Sequence, residues 1–229
     1  DNLSSMVAKV TAGATGALGK ITMEDADGGK FDFNDLAGMV SMIAAGATGA
    51  LGHIKMDGYF SDNLSSMVSG VTAGSTAALG NIKMTGFTSD NLSSMVSNVT
   101  AGATGALGDI TMEDADGGLF NSSDLAGMIT QIAAGATGAL GHIKMEGYFS
   151  DNLSSMVSGV TAGSTGALGN IKMTGFTSDN LSSTVSNVTS GATGALGNIT
   201  MEDATGGGLF DTADYLAMIN QINKGASDS

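Results

Sequence analysis

The heptapeptide that opens the chain, DNLSSMV, returns at Asp90 and, with Thr184 in place of methionine, at Asp179, a period of 89 residues both times. Residues 1–89 and 90–178 differ at few sites, among them Lys20 against Asp109 and Met42 against Gln131. Inside each long unit lie three related shorter ones. They begin near Asp1, Asp35 and Asp62, then Asp90, Asp124 and Asp151, then Asp179 and Asp214. The short period is about 28 residues, with units of about 27–35. That is the range of solenoids, whose units cannot bury their own apolar faces and lean on their neighbours. The repetition indicates one repeat body over residues 1–229, made of super-repeats 1–89 and 90–178 and a partial one at 179–229.

One short unit, from Asp90 to Ser123, shows the expected local structure. Ser89 and Asp90 offer side-chain oxygens to the free amides of a helix start. Apolar or small residues then fall at Leu92, Val96, Val99, Ala103, Ala106 and Ile110, which is one face of a helix. Gly108 is placed to end the helix in a left-handed conformation. Ile110, Thr111 and Met112 alternate as a short strand, and Ile82, Lys83 and Met84 fill the same slot in the neighbouring unit. These units predict an α/β tandem-repeat solenoid, with a short parallel sheet on one side and helices on the other. Gly102, Gly105 and Gly108 complicate the helix, because each interior glycine costs about 1 kcal/mol relative to alanine. Either the Gly and Ala stripe lets neighbouring helices approach closely, or the helix stops near Thr100 and AGATGALG is a connector. The unbroken apolar spacing favours close approach.

Composition narrows the partners. Asp and Glu total 22 against eight lysines and no arginine, for a net charge of −14. Nucleic acids and anionic lipid headgroups are bound through clustered Lys or Arg, so this balance argues against both. No run approaches the roughly 18 apolar residues of a membrane span, so membrane insertion is not expected. Asp1 begins inside a repeat without an initiator methionine, as in a processed or excerpted chain. The absence of cysteine fits several compartments. Together with acidity and abundant Ser, Thr, Asn and Gly, it leans toward an extracellular or cell-surface protein. The Asn-x-Ser/Thr triplets at Asn2, Asn63, Asn98, Asn187 and Asn198 agree weakly with that location.

The sequence most suggestive of chemistry is the acidic loop MEDADGG. It places Glu24, Asp25 and Asp27 in the first super-repeat and Glu113, Asp114 and Asp116 in the second, while the third retains Glu202 and Asp203. Closely spaced carboxylates followed by glycine can wrap calcium, although a solvated turn bending at Gly117 and Gly118 explains the same residues. No cofactor is required by the sequence, and calcium is the one candidate. His53 and His142 occupy equivalent slots that hold Asn81 and Asn170 in sister units, which suits a structural role. Serine pairs such as Ser93 and Ser94 recur in near-identical copies, unlike a unique nucleophile with its own base. GATGALG lacks the Lys-Ser/Thr ending of a phosphate-binding loop.

Met6, Met67, Met95 and Met156 share one helical position, and Met23, Met84, Met112 and Met173 share the strand position, as adaptable core filling. Tyr59, Phe60, Tyr148 and Phe149 are expected to cover the turn before the next helix, with edges available to a sugar or to self-association. Thr11, Thr15 and Thr22 do not form the regular row a flat ice-binding face requires. Near-perfect repetition points away from catalysis and toward a structural surface protein, a filament, sheath or stalk segment that homo-oligomerises by end-to-end stacking. The alternative is a calcium-stabilised extracellular adhesin or recognition module.

Overall fold

The helices are specified at their starts and survive their glycines. In a computed structural model that describes residues 2–21, 32–60, 63–82, 91–111, 117–118, 120–143, 150–171, 177–199 and 212–228, eight α-helices run in sequence. They are α1 Asn2–Leu18, α2 Phe33–Leu51, α3 Leu64–Ala78, α4 Leu92–Ala106, α5 Ser122–Leu140, α6 Ser150–Leu168, α7 Ser178–Leu196 and α8 Thr212–Ser227. Capping boxes open three of them. Asp32 accepts from the amides of Asn34 and Asp35, while the Asp35 carboxylate accepts from the Asp32 amide. Asn121 with Asp124 and Thr177 with Asn180 repeat the arrangement, and each such cap is worth about 1 kcal/mol. Ser89 and Asp90 lie outside the described residues.

Each helix continues through its glycines, as the apolar spacing requires. The ends differ from expectation. Helices α3 and α4 tighten into 3-10 turns at Leu79–Asn81 and Leu107–Asp109, and the cap glycines Gly52, Gly141 and Gly197 keep right-handed φ values. Gly58 and Gly117 are the glycines with positive φ among the described residues, so Gly108 is not a left-handed cap. An i→i+3 bond, such as the Ile110 amide to the Leu107 carbonyl at 3.2 Å, satisfies the last turn instead.

The expected sheet is absent. Among the described residues there is no strand, and the fold is an all-helical repeat stack, not an α/β solenoid. Ile82 and Ile110 are extended and nearly fully buried, but as single residues that plug helix ends. Ile110 packs on Gly52, the cap of α2, and Ile199 packs on Gly141, the cap of α5. A three-residue alternation provides too few ladder bonds to hold a strand once its isoleucine is claimed by a helix end. Thr111 is exposed and irregular, and Lys83, Met84 and Met112 lie outside the described residues.

The helices form two rows. Odd-numbered helices pack α1 on α3 on α5 on α7, and even-numbered ones pack α2 on α4 on α6 on α8, with looser approach between rows. Helices within a row are parallel. Ser4 and Ala8 of α1 meet Gly70 and Gly74 of α3 in order, as Ser93 and Ser97 of α4 meet Gly159 and Gly163 of α6. Between the rows the chain reverses: the Tyr59 hydroxyl bonds the Leu51 carbonyl at the end of α2 and reaches the Met67 sulfur near the start of α3.

Glycine sets the spacing inside a row. A Cβ on Gly135 would stand 2.6 Å from both the carbonyl and the Oγ of Ser69, and one on Gly70 would stand 2.9 Å from the Ser4 carbonyl. Gly102, Gly191 and Gly225 sit equally tight against Ser41, Thr130 and Ser158. The close approach lets side chains bond backbone across the row: Ser4 Oγ to the Ser66 carbonyl and Ser93 Oγ to the Ser155 carbonyl at 2.7 Å, and Thr72 Oγ1 to the Ile132 carbonyl at 3.2 Å. It also brings glycine Cα–H groups against carbonyl oxygens, a weak contact that recurs at small-residue helix interfaces. Larger apolar residues, such as Leu36, Val40, Leu92, Val96, Ile129 and Leu153, form one continuous buried cluster.

Candidate functional site

The eight carboxylates expected to hold calcium, Glu24, Asp25, Asp27, Glu113, Asp114, Asp116, Glu202 and Asp203, lie outside the described residues. Gly117, which follows one of these loops, has φ +83 and so makes the bend that glycine permits there. Among the described residues no three His, Asp or Glu side chains gather into a metal-ligating group, and none of the described carboxylates is buried. His53 and His142 sit exposed in the turns after α2 and α5.

The serine pairs have a role that the sequence did not reveal. Ser93 is a donor between helices, and its carbonyl is the surface against which Gly159 rests. Met67, Met95 and Met156 are buried core filling, whereas Met23, Met84, Met112 and Met173 lie outside the described residues. Tyr59 is buried, and its burial pushes the phenol up to about 12. Its ring therefore offers no exposed edge. Tyr148 and Phe149 lie outside the described residues. Thr11 and Thr15 are buried, which removes them from any flat outer face. A shallow cleft of about 140 Å³ runs between the starts of α1 and α3, lined by Leu3, Ser4, Met56, Asn63 and Ser66 over Tyr59. Among the described residues, the buried phenol is the titratable group that lines it. No helix among the described residues is long and apolar enough to cross a membrane.

The first and last helices of each row leave one face uncovered. Each internal helix shows its predecessor in the row a glycine-centred groove and shows its successor a Ser/Thr ridge. On α1 and α2 the groove is bare. Met6 is 60% exposed and Val10 70%, whereas Met67, Met95 and Met156, and Val71, Val99, Val160 and Val188, at the same positions, are buried. A Cβ on Gly13 or Gly46 would meet nothing within 4 Å, unlike one on Gly74, Gly102 or Gly135. Met42 is 74% exposed, and Gln131, at the same position of the sister helix α5, is exposed as well although α5 packs on α3. At the far end the ridge is bare: Ser182 and Ser186 of α7 and Asn220 of α8 are exposed. The apolar Leu181 and Leu216 are exposed beside them. With Met56, these residues account for all the large exposed hydrophobics among the described residues.

A scan against protein-family models matched none to this chain, and a search of curated proteins found no match either.

Proposed function

We propose that this chain is a structural segment of an extracellular or cell-surface filament, sheath or stalk, in which repeats set length and stiffness and copies associate end to end without a catalytic step. The observation that carries the reading is the stacking of near-identical helical units into two rows, in which each helix packs on the one two places along. The near-identity of the super-repeats supports the same reading, because a ligand site makes one repeat depart from the others. The acidic balance, with no arginine, suits a surface that repels phosphate backbones.

Negative-stain electron microscopy at rising protein concentration, in calcium and then in excess chelator, tests this function. Fibres that lengthen with concentration whatever the chelator support it. Discrete short rods that loosen in chelator overturn it in favour of a calcium-stabilised adhesin segment built on the acidic loops.

A further inference from the structure

We propose that Asp57 is a site of spontaneous backbone modification, at which the Asp57–Gly58 linkage passes through a cyclic succinimide to an isoaspartyl linkage. The two residues lie at the centre of the turn between α2 and α3. The Tyr59 amide donates to the Met56 carbonyl at 3.0 Å and closes that turn. Gly58 has φ +73, and no described residue other than glycine has positive φ, so the central pair has the signs of a type II turn. Such a turn is closed by its outer carbonyl and outer amide, which leaves the amide between Asp57 and Gly58 out of the bond. Among the described residues no acceptor holds the Gly58 amide and no donor fixes the Asp57 carboxylate. Both residues are exposed. A Cβ on Gly58 would meet nothing within 4 Å, so the space in which a ring must close is open, and glycine puts no side chain of its own in the way.

In the first step the Gly58 nitrogen attacks the side-chain carboxyl carbon of Asp57. The new N–C bond forms, a carboxyl C–O bond breaks, and the oxygen leaves as water with the amide proton and the carboxyl proton. In the second step water adds to one of the two ring carbonyls. Opening at the main-chain carbonyl leaves Gly58 joined through the Asp57 side chain, which lengthens the main chain by one methylene and frees an α-carboxylate. One water is lost and one regained, so no oxidant, reductant or other reactant is needed. The repeat supplies a contrast. The counterpart of Asp57 in the second super-repeat is Glu146, also followed by glycine, and a glutamyl side chain must close a six-membered ring, which is slower. Asp27 and Asp116 precede glycine as well but lie outside the described residues. At Asp57 the extra methylene falls two residues before Tyr59, whose hydroxyl ties the turn to the Leu51 carbonyl at 3.0 Å. The change therefore acts on the reversal that joins the two rows.

The test incubates the full chain in neutral buffer over weeks, digests samples taken at intervals, and follows the peptide containing Asp57 by liquid chromatography and tandem mass spectrometry. The wild type is expected to accumulate a second form of equal mass and different retention, preceded by a form lighter by one water. The second form is expected to accept a methyl group from S-adenosylmethionine when an isoaspartyl carboxyl methyltransferase is added. Asp57→Glu, which copies the second super-repeat, is expected to abolish all three signals at this position, with far-UV circular dichroism establishing that the variant is folded. The same incubation in urea measures the unfolded chain, and the folded chain is expected to convert at a comparable rate because the turn leaves the linkage free. A folded wild type that shows no isoaspartate at Asp57, or one that converts far more slowly than the unfolded chain, overturns the proposal.

Discussion

Replacing Gly135 and Gly138 by alanine, one at a time, is expected to shift stability in opposite directions, although both lie in α5 three residues apart. Alanine favours a helix interior over glycine by about 1 kcal/mol. At Gly138 a new Cβ meets nothing within 4 Å, so Gly138→Ala stabilises by about that amount. At Gly135 the same gain is opposed. The Cβ would stand 2.6 Å from the carbonyl and Oγ of Ser69 and 3.0 Å from Thr72 Oγ1, well inside the 3.4–4 Å of ordinary contact. The Ser69 carbonyl belongs to the backbone of α3 and cannot rotate away. The two helices must separate, which stretches the 3.2 Å bond from Thr72 Oγ1 to the Ile132 carbonyl.

Overpacking of this kind costs about 1–3 kcal/mol, and loss of the hydrogen bond adds about 1 kcal/mol. After subtracting the helix gain, Gly135→Ala is expected to destabilise by about 1–3 kcal/mol. The gap between the variants is then about 2–4 kcal/mol, and in a chain of this length each kcal/mol moves the thermal midpoint by about 2–4 °C. Urea and thermal melts followed at the helical circular dichroism band measure both. Equal shifts, or a stabilised Gly135→Ala, would refute the claim that glycine sets the row spacing.

Thr104 is fully buried with no hydrogen-bond partner for its hydroxyl. Thr104→Val removes the desolvation cost of that group and is expected to raise stability by about 1 kcal/mol in the same melts. Asn121 caps α5 by accepting from Ser123 and Asp124 amides at 2.8 and 3.4 Å, so Asn121→Ala is expected to lower stability by about 1 kcal/mol. For Tyr59, burial raises the phenol in the folded chain from 10.0 to about 12. The unfolded phenol ionises first, so this contribution is complete below pH 10 and is lost as pH rises from 10 toward 12. Melts across that window are expected to fall more steeply for the wild type than for Tyr59→Phe.

The helices were legible in the sequence and the sheet was not there to be read. The spacing from Leu92 through Val96, Val99 and Ala103 carries a 3.6-residue period, and the glycines do not break it because half of that stripe serves contact between helices. Ile110 and Met112 carry the two-residue period of a strand in its shortest form. Three residues do not distinguish a strand from an isoleucine folded under a helix end, and the distinction depends on Gly52 in a different unit. Nor does the spacing separate the glycines that touch a neighbour, such as Gly102, from those that face open space, such as Gly105. The two share a composition and differ only in the direction each faces, which depends on which helix lies beside them.

The row order explains why the packing was harder to find than the repeat. Three helix types alternate along the chain, yet each helix packs on the one two places away, so no helix contacts a sister of its own type within a row. A sequence comparison aligns α1 with α4, whereas the physical neighbour of α1 is α3. Met42 against Gln131 is visible in that alignment as a departure from the repeat, and both side chains are exposed. The repeat therefore shows which helices are alike, whereas the contacts that hold the rows together join helices of unlike type.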